Sequence, residues 1–196
     1  RRVDTATQMT KTVAGVAGSS GTIVGTTPLQ SKLYNPEAVD IPVIGANVYV
    51  ADTYNNAIRL LSGEWVAGST SGGYGLVNAA AGTSAAFYVP VAVRADVAGG
   101  LLYVADLENH QLRTIAIAGS HAVATLAAFS TYVFDIALTA EGRIMYVAVG
   151  SYVCIVTNIG TSTLLAGDAA GYADGIGGGA RFNVIRGLAL DEGAGV

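Results

Sequence analysis

Charge is scarce in this chain. Asp, Glu, Lys and Arg make up 12% of its 196 residues, about half the share usual in a globular domain. Lys11 and Lys32 are the sole lysines, and the densest basic spot is the pair Arg1-Arg2. With a net charge of −4, nothing resembles the clustered Lys and Arg on which nucleic-acid binding rests, so a nucleic-acid partner is not expected. Cysteine is limited to Cys154, which excludes an intrachain disulfide; in an apolar stretch it reads as a small buried side chain. Histidine is limited to His110 and His121, too few for the usual three protein ligands of a catalytic zinc. Sequons of the form Asn-x-Ser/Thr are missing, so N-glycosylation is not expected; the Ser/Thr-rich loops leave O-glycosylation open. Residues 144–167 contain no Asp, Glu, Lys or Arg, the length of a membrane helix. Gly150-Ser151 and Thr157-Asn158 interrupt that run, and its β-branched residues favour strands, so membrane insertion is not expected.

What fills the chain instead is apolar residue types, at 52%, and repetition. LLYVADLENHQLRTI (101–115) reads as an apolar strand, a polar turn and a returning strand. It recurs upstream as NVYVADTYNNAIRLL (47–61) and, decayed, as IMYVAVGSYVCIVTNI (144–159). Asp52 lies 54 residues before Asp106, and Asp106 lies 43 before its counterpart Val149. Repeats of about 40–50 residues carrying four short strands point to propeller blades. Blades stack face to face, which covers both faces of their inner strands and accounts for near-continuous apolar runs such as LLYVA.

The fold expected is therefore all-β, about four blade units with split ends, forming an open arc or part of a larger ring. The units divide as follows. Residues 1–32 hold the C-terminal part of a blade plus a loop, with a polar turn over 4–10 and a strand over 12–17. Residues 33–86 form one repeat and 87–128 a second. Residues 129–180 form a degenerate third, and 181–196 begin a further one with a strand over 187–191. Long loops rich in Gly, Ser and Thr occupy 19–32, 69–86 and 168–180, whereas residues 126–129 join two units with almost no loop. Because the sequence starts with Arg1-Arg2 and ends just before another YVAD-like strand would begin, we expect a processed or partial polypeptide with exposed strand edges.

These residues resemble NHL repeats. The pattern consists of an aromatic-Asn-x-Pro lead-in (87–90), a G-[LIV]-A-[LIV]-D strand (187–191), an [LIV]-Y-V-A-D strand (102–106), and then N-[HN]-x-[ILV]-R (109–113). The loop AGDAAGYADGIGGGARFN (166–183) also fits it. The resemblance implies a β-propeller, commonly of six blades. The third unit departs from it, with Val149 in place of the Asp and no Asn-His-x-x-Arg run. Ile185 likewise stands where a Pro would lead into the fourth.

Asp52, Asn55, Asn56 and Arg59, matched by Asp106, Asn109, His110 and Arg113, form the candidate site, read as a structural turn motif. Each Asp would accept backbone N–H groups in its turn. Asn55, Asn56 and Asn109 suit left-handed backbone. Each Arg, seven residues on, would pair with its Asp. Gly150-Ser151 in the third unit suits a two-residue II′ hairpin that needs no such side chains. The run Ile176-Gly177-Gly178-Gly179 lacks the Lys-Ser/Thr of a phosphate loop and is not expected to open a helix. No catalytic, cofactor or metal residues are assigned. The function expected is a non-catalytic, structural interaction scaffold that binds protein partners, copies of itself foremost, through loop faces and open blade edges. An extracellular or cell-surface setting is favoured. The alternatives are a fragment of a propeller-based metal-dependent hydrolase or lyase, and a ligand-sensing extracellular domain of a larger receptor. Asp168 and Asp174 lie in one Asp-Gly-x-Gly-bearing loop, and a calcium site would need such turns repeated. Read as a plain turn, this loop should give the same melting temperature with millimolar calcium as with chelator, which a thermal melt checks.

Overall fold

The structure is a computed structural model and describes residues 1–42 and 47–191. A short antiparallel ribbon, β1 (Arg2–Val3) with β2 (Thr10–Lys11), opens it. Three four-stranded antiparallel meanders follow. The first runs β3 (Ala38–Asp40), β4 (Tyr49–Asp52), β5 (Ala57–Leu60) and β6 (Trp65–Ala67). The second runs β7 (Pro90–Asp96), β8 (Leu101–Asp106), β9 (Gln111–Ala116) and β10 (Val123–Ala128). The third runs β11 (Val133–Leu138), β12 (Ile144–Val149), β13 (Tyr152–Thr157) and β14 (Ser162–Ala166). The protein is all-β and built of blade-like units in chain order, each strand paired with the next.

Strand alternation explains the apolar runs. Successive side chains of β8 point to opposite faces. Leu102 and Val104 pack with Ile58, Val66, Phe87 and Ile115 between the first two sheets. Tyr103 and Ala105 pack with Ile136, Met145 and Val147 between the second and third. A strand walled on both sides favours apolar residues on both faces, and each fully buried Leu, Ile or Met contributes about 1.5–3 kcal/mol. Cys154 sits in the second of these layers, where burial pushes its thiol above the ordinary cysteine value. Residues 144–167 thus form β12 to β14, and no helix among the described residues is long and apolar enough to cross a membrane.

Two expected strands do not form. Residues 12–17 leave the ribbon after Lys11: the chain bends at Gly15 and Gly18, both left-handed, and Gly15 donates its amide to Pro28 O. The turn before β2 is closed by the Asp4 carboxylate, which accepts from Ala6 N and Thr7 N. Residues 187–191 belong to no strand; the Leu188 amide donates to the Asp135 carboxylate at 2.9 Å. The remainder of that unit, 192–196, lies outside the described residues. The glycine run is not wholly free of helix either: Gly177–Gly179 makes one three-residue 3-10 turn. Val149 pairs with Tyr152 around Gly150-Ser151. Gly150 has φ +55° and Ser151 a negative φ, as the II′ turn requires.

The repeated Ala-Gly that ends a unit has a steric cause. Gly68 has φ +109°, and a Cβ there would lie 2.5 Å from Asn56 O. Gly167 has φ +80° and stands at the same distance from Ser151 O. In the first and third sheets the chain leaving the outer strand crosses the hairpin turn at backbone contact, which excludes a side chain. Gly68→Ala should therefore destabilise the fold by on the order of 2 kcal/mol, measured as a shift in the urea midpoint at unchanged slope.

Candidate functional site

Two buried braces sit at the β4–β5 and β8–β9 hairpins. Asp52 Oδ1 accepts from Tyr34 N at 2.7 Å, and its Oδ2 accepts from Asn55 Nδ2 at 2.8 Å and Arg59 Nη1 at 2.9 Å. The second brace repeats this atom for atom. Asp106 takes Tyr88 N at 2.7 Å, and Asn109 Nδ2 and Arg113 Nη1 each at 2.8 Å. These carboxylates therefore accept from the lead-in of the same blade and not, as the sequence suggested, from the turn's own backbone. Asn55 and Asn109 are not left-handed. Their amides bridge the carboxylate to Gly21 O and Gly75 O, each at 2.7 Å. Left-handed backbone falls one residue later, at Asn56 (φ +53°) and His110 (φ +56°).

The arginines reach further than their ion pairs. Arg59 donates to Ile23 O, Lys32 O and Gly63 O. Arg113 donates to Val77 O, Ala86 O and Asn78 Oδ1. Each guanidinium also lies over an aromatic ring, Trp65 at 5.1 Å and Phe87 at 5.0 Å. The brace thus ties the long loop preceding a blade to that blade. The third unit has almost no preceding loop, and it has no brace. All four charged side chains are 0% exposed, so they can touch no ligand. Burial pushes the Asp106 carboxyl above its ordinary value, against the pull of Asn109, Tyr88 N and Arg113. Burial likewise pushes the Arg113 guanidinium below its own, against the pull of Asp106.

Asn56 and His110 link neighbouring blades. The Asn56 side chain accepts from Val89 N at 2.9 Å. His110 meets Tyr132, at the corresponding lead-in, edge to face at 4.9 Å. His121 Nδ1 contacts Ala116 O at 3.0 Å. Among the described residues no three His, Cys, Asp or Glu side chains come together as a metal group. Asp168 and Asp174 lie exposed on their loop.

The surface able to meet a ligand lies elsewhere, where β3, β7 and β11 face one another with residues 185–190. Acceptors from one blade cap amides of the next there: Asp40 Oδ2 takes Ala95 N at 2.7 Å, and Asp135 Oδ2 takes Leu188 N. Arg94 Nη2 pairs with Asp135 Oδ1 at 2.8 Å. Two cavities open around Arg94. One, of ≈ 570 Å³, is lined by Asp40, Asp96, Leu138 and Leu190. The other, of ≈ 580 Å³, opens on the hairpin-turn side and is lined by Glu37, Tyr54, Glu108, Phe134, Asp135 and Arg186. Sequence reasoning missed these residues because they do not repeat. The position opposite the Tyr of each YVA strand is Asp40, then Arg94, then Ala137, and reading the repeat for positions that vary would have found it.

Comparison with family models and with curated proteins gives no match to this chain.

Removing one partner of a brace leaves a buried charge uncompensated. Arg113→Ala should cost about 3–5 kcal/mol in chemical denaturation. The double variant Asp106→Ala/Arg113→Ala should cost less than the sum of the two single changes, as expected for side chains in direct contact.

Proposed function

We propose that this protein is a non-catalytic interaction scaffold of the NHL-repeat propeller class, binding protein partners, copies of itself among them, through its turn face and its outer blade edge. The observation that carries the reading is an aromatic rim. Tyr34, Tyr54, Tyr74, Tyr88 and Tyr132 are all exposed, Tyr74 to 69%, and Tyr54 lines the turn-side cavity. They are ordered by one another: Tyr34 meets Tyr54 edge to face, and Tyr74 stacks on Tyr88 at 4.6 Å. Tyrosine offers large contact area at low side-chain entropy cost and is enriched where proteins bind one another. The braces beneath hold these rings on a rigid frame, so little ordering is left to binding.

Support for self-association comes from the third sheet. Leu164 and Leu165 on its outer strand β14 are 50% and 42% exposed, and an apolar, unpaired outer strand is a template for pairing. Light scattering over a concentration series should give a mass that rises above the 19.8 kDa of one chain. Leu165→Glu should lower that mass at an unchanged melting temperature. A mass fixed at one chain across the series overturns self-association.

A further inference from the structure

The turn-side cavity is chemically lopsided. Of its three carboxylates, Asp135 is consumed: Oδ1 takes Arg94 and Ile136 N, and Oδ2 takes Leu188 N. Glu37 accepts one hydrogen bond, from Asn35 Nδ2 at 3.1 Å. Glu108 is exposed, and among the described residues its carboxylate has no ion-pair partner. With Arg94 and Asp135 cancelling, two free-standing carboxylates face one guanidinium, Arg186. That guanidinium lies over the Phe134 ring at 4.5 Å, so one aromatic wall of the cavity already carries a cation from the same chain. Tyr54, the other aromatic wall, carries none, and Glu37 and Glu108 line the cavity with it. An aromatic ring flanked by carboxylates attracts a desolvating cation by its quadrupole and by Coulomb attraction together. The volume of ≈ 580 Å³ admits a long side chain with its backbone outside, and the exposed Tyr34 stands edge to face against the lining Tyr54.

We infer that this cavity takes an arginine or lysine side chain of an extended protein segment, its cation seated against Tyr54 between Glu37 and Glu108 while the tyrosine rim holds the flanking backbone. The occupant is a peptide cation, in keeping with the acidic balance of the chain. The inference rests on the aromatic rim being a protein-binding face, and the experiment separates the two. A fluorescent octapeptide of alternating Gly-Ser and Arg is titrated into the full chain by anisotropy, beside the same peptide with every Arg replaced by Gln. The Arg peptide should bind at least roughly tenfold tighter than the Gln peptide. Its affinity should fall with added salt and drop roughly tenfold in Glu37→Gln/Glu108→Gln. Gln keeps the acceptor for Asn35, so the melting temperature should not move. Glu141→Gln, an exposed acid outside the cavity, should bind as the unchanged chain does. Equal binding of both peptides overturns the cation site and leaves the rim as a protein-binding face. Binding of neither overturns both, and binding indifferent to the two Glu changes overturns the assignment of the cation to this cavity.

Discussion

The buried Asp–Asn–Arg brace is the constraint on which the rest of the arrangement depends. Taking a carboxylate and a guanidinium wholly out of water is costly, and a lone pair of charges seldom recovers that cost. Here each guanidinium also satisfies three further acceptors, in the loop preceding its blade and, for Arg59, in the β5–β6 turn, and each carboxylate fills both oxygens. Lysine, with a point charge and no planar fork, could not span Asp52, Lys32 O, Gly63 O and Ile23 O at once. The return on the buried charge is therefore positional: a loop of more than a dozen residues is fixed against its blade by a single side chain.

That view ties the brace to loop length and not to the hairpin it sits in. The first two full units have long preceding loops and complete braces. The third is entered directly from residue 128 and has neither. Its Gly150-Ser151 turn follows from the missing brace: once no carboxylate or arginine is required there, the hairpin can close by the shortest route. The same economy shows in the inner strands. Ala95 N on β7 and Leu188 N are each satisfied from the adjacent unit, by Asp40 and Asp135.

Much of the frame was legible from residues alone, because a repeat reads the same pattern three times. Most strand positions, the strands in place of a helix over 144–166, and the Asp-to-Arg spacing all follow from periodicity and turn chemistry. Misreadings came where long-range geometry overrode local preference. Residues 12–17 look like a strand, but left-handed Gly15 and Gly18 turn the chain to Pro28. Residues 187–191 look like another, but they belong to no strand, although the Leu188 amide meets the Asp135 carboxylate much as Ala95 N of β7 meets Asp40. Asn55 and Asn56 are both plausible in a left-handed turn; only the structure assigns one to the bend and the other to a bridge.

The cavities around Arg94 were illegible for a deeper reason. A repeat advertises what each unit needs in order to fold, and those residues are the ones driven out of reach of solvent. Asp52, Arg59, Asp106 and Arg113 look like a catalytic constellation on paper and are sealed in the blades. Positions where the units differ are the ones left at the surface around Arg94, and they carry the chemistry that the repeat does not. Glu37, Tyr54, Glu108, Phe134 and Arg186 come from three successive blades and a fourth stretch. No two of them sit in corresponding positions with the same residue type, and that asymmetry is what gives the turn-side cavity a chemistry of its own.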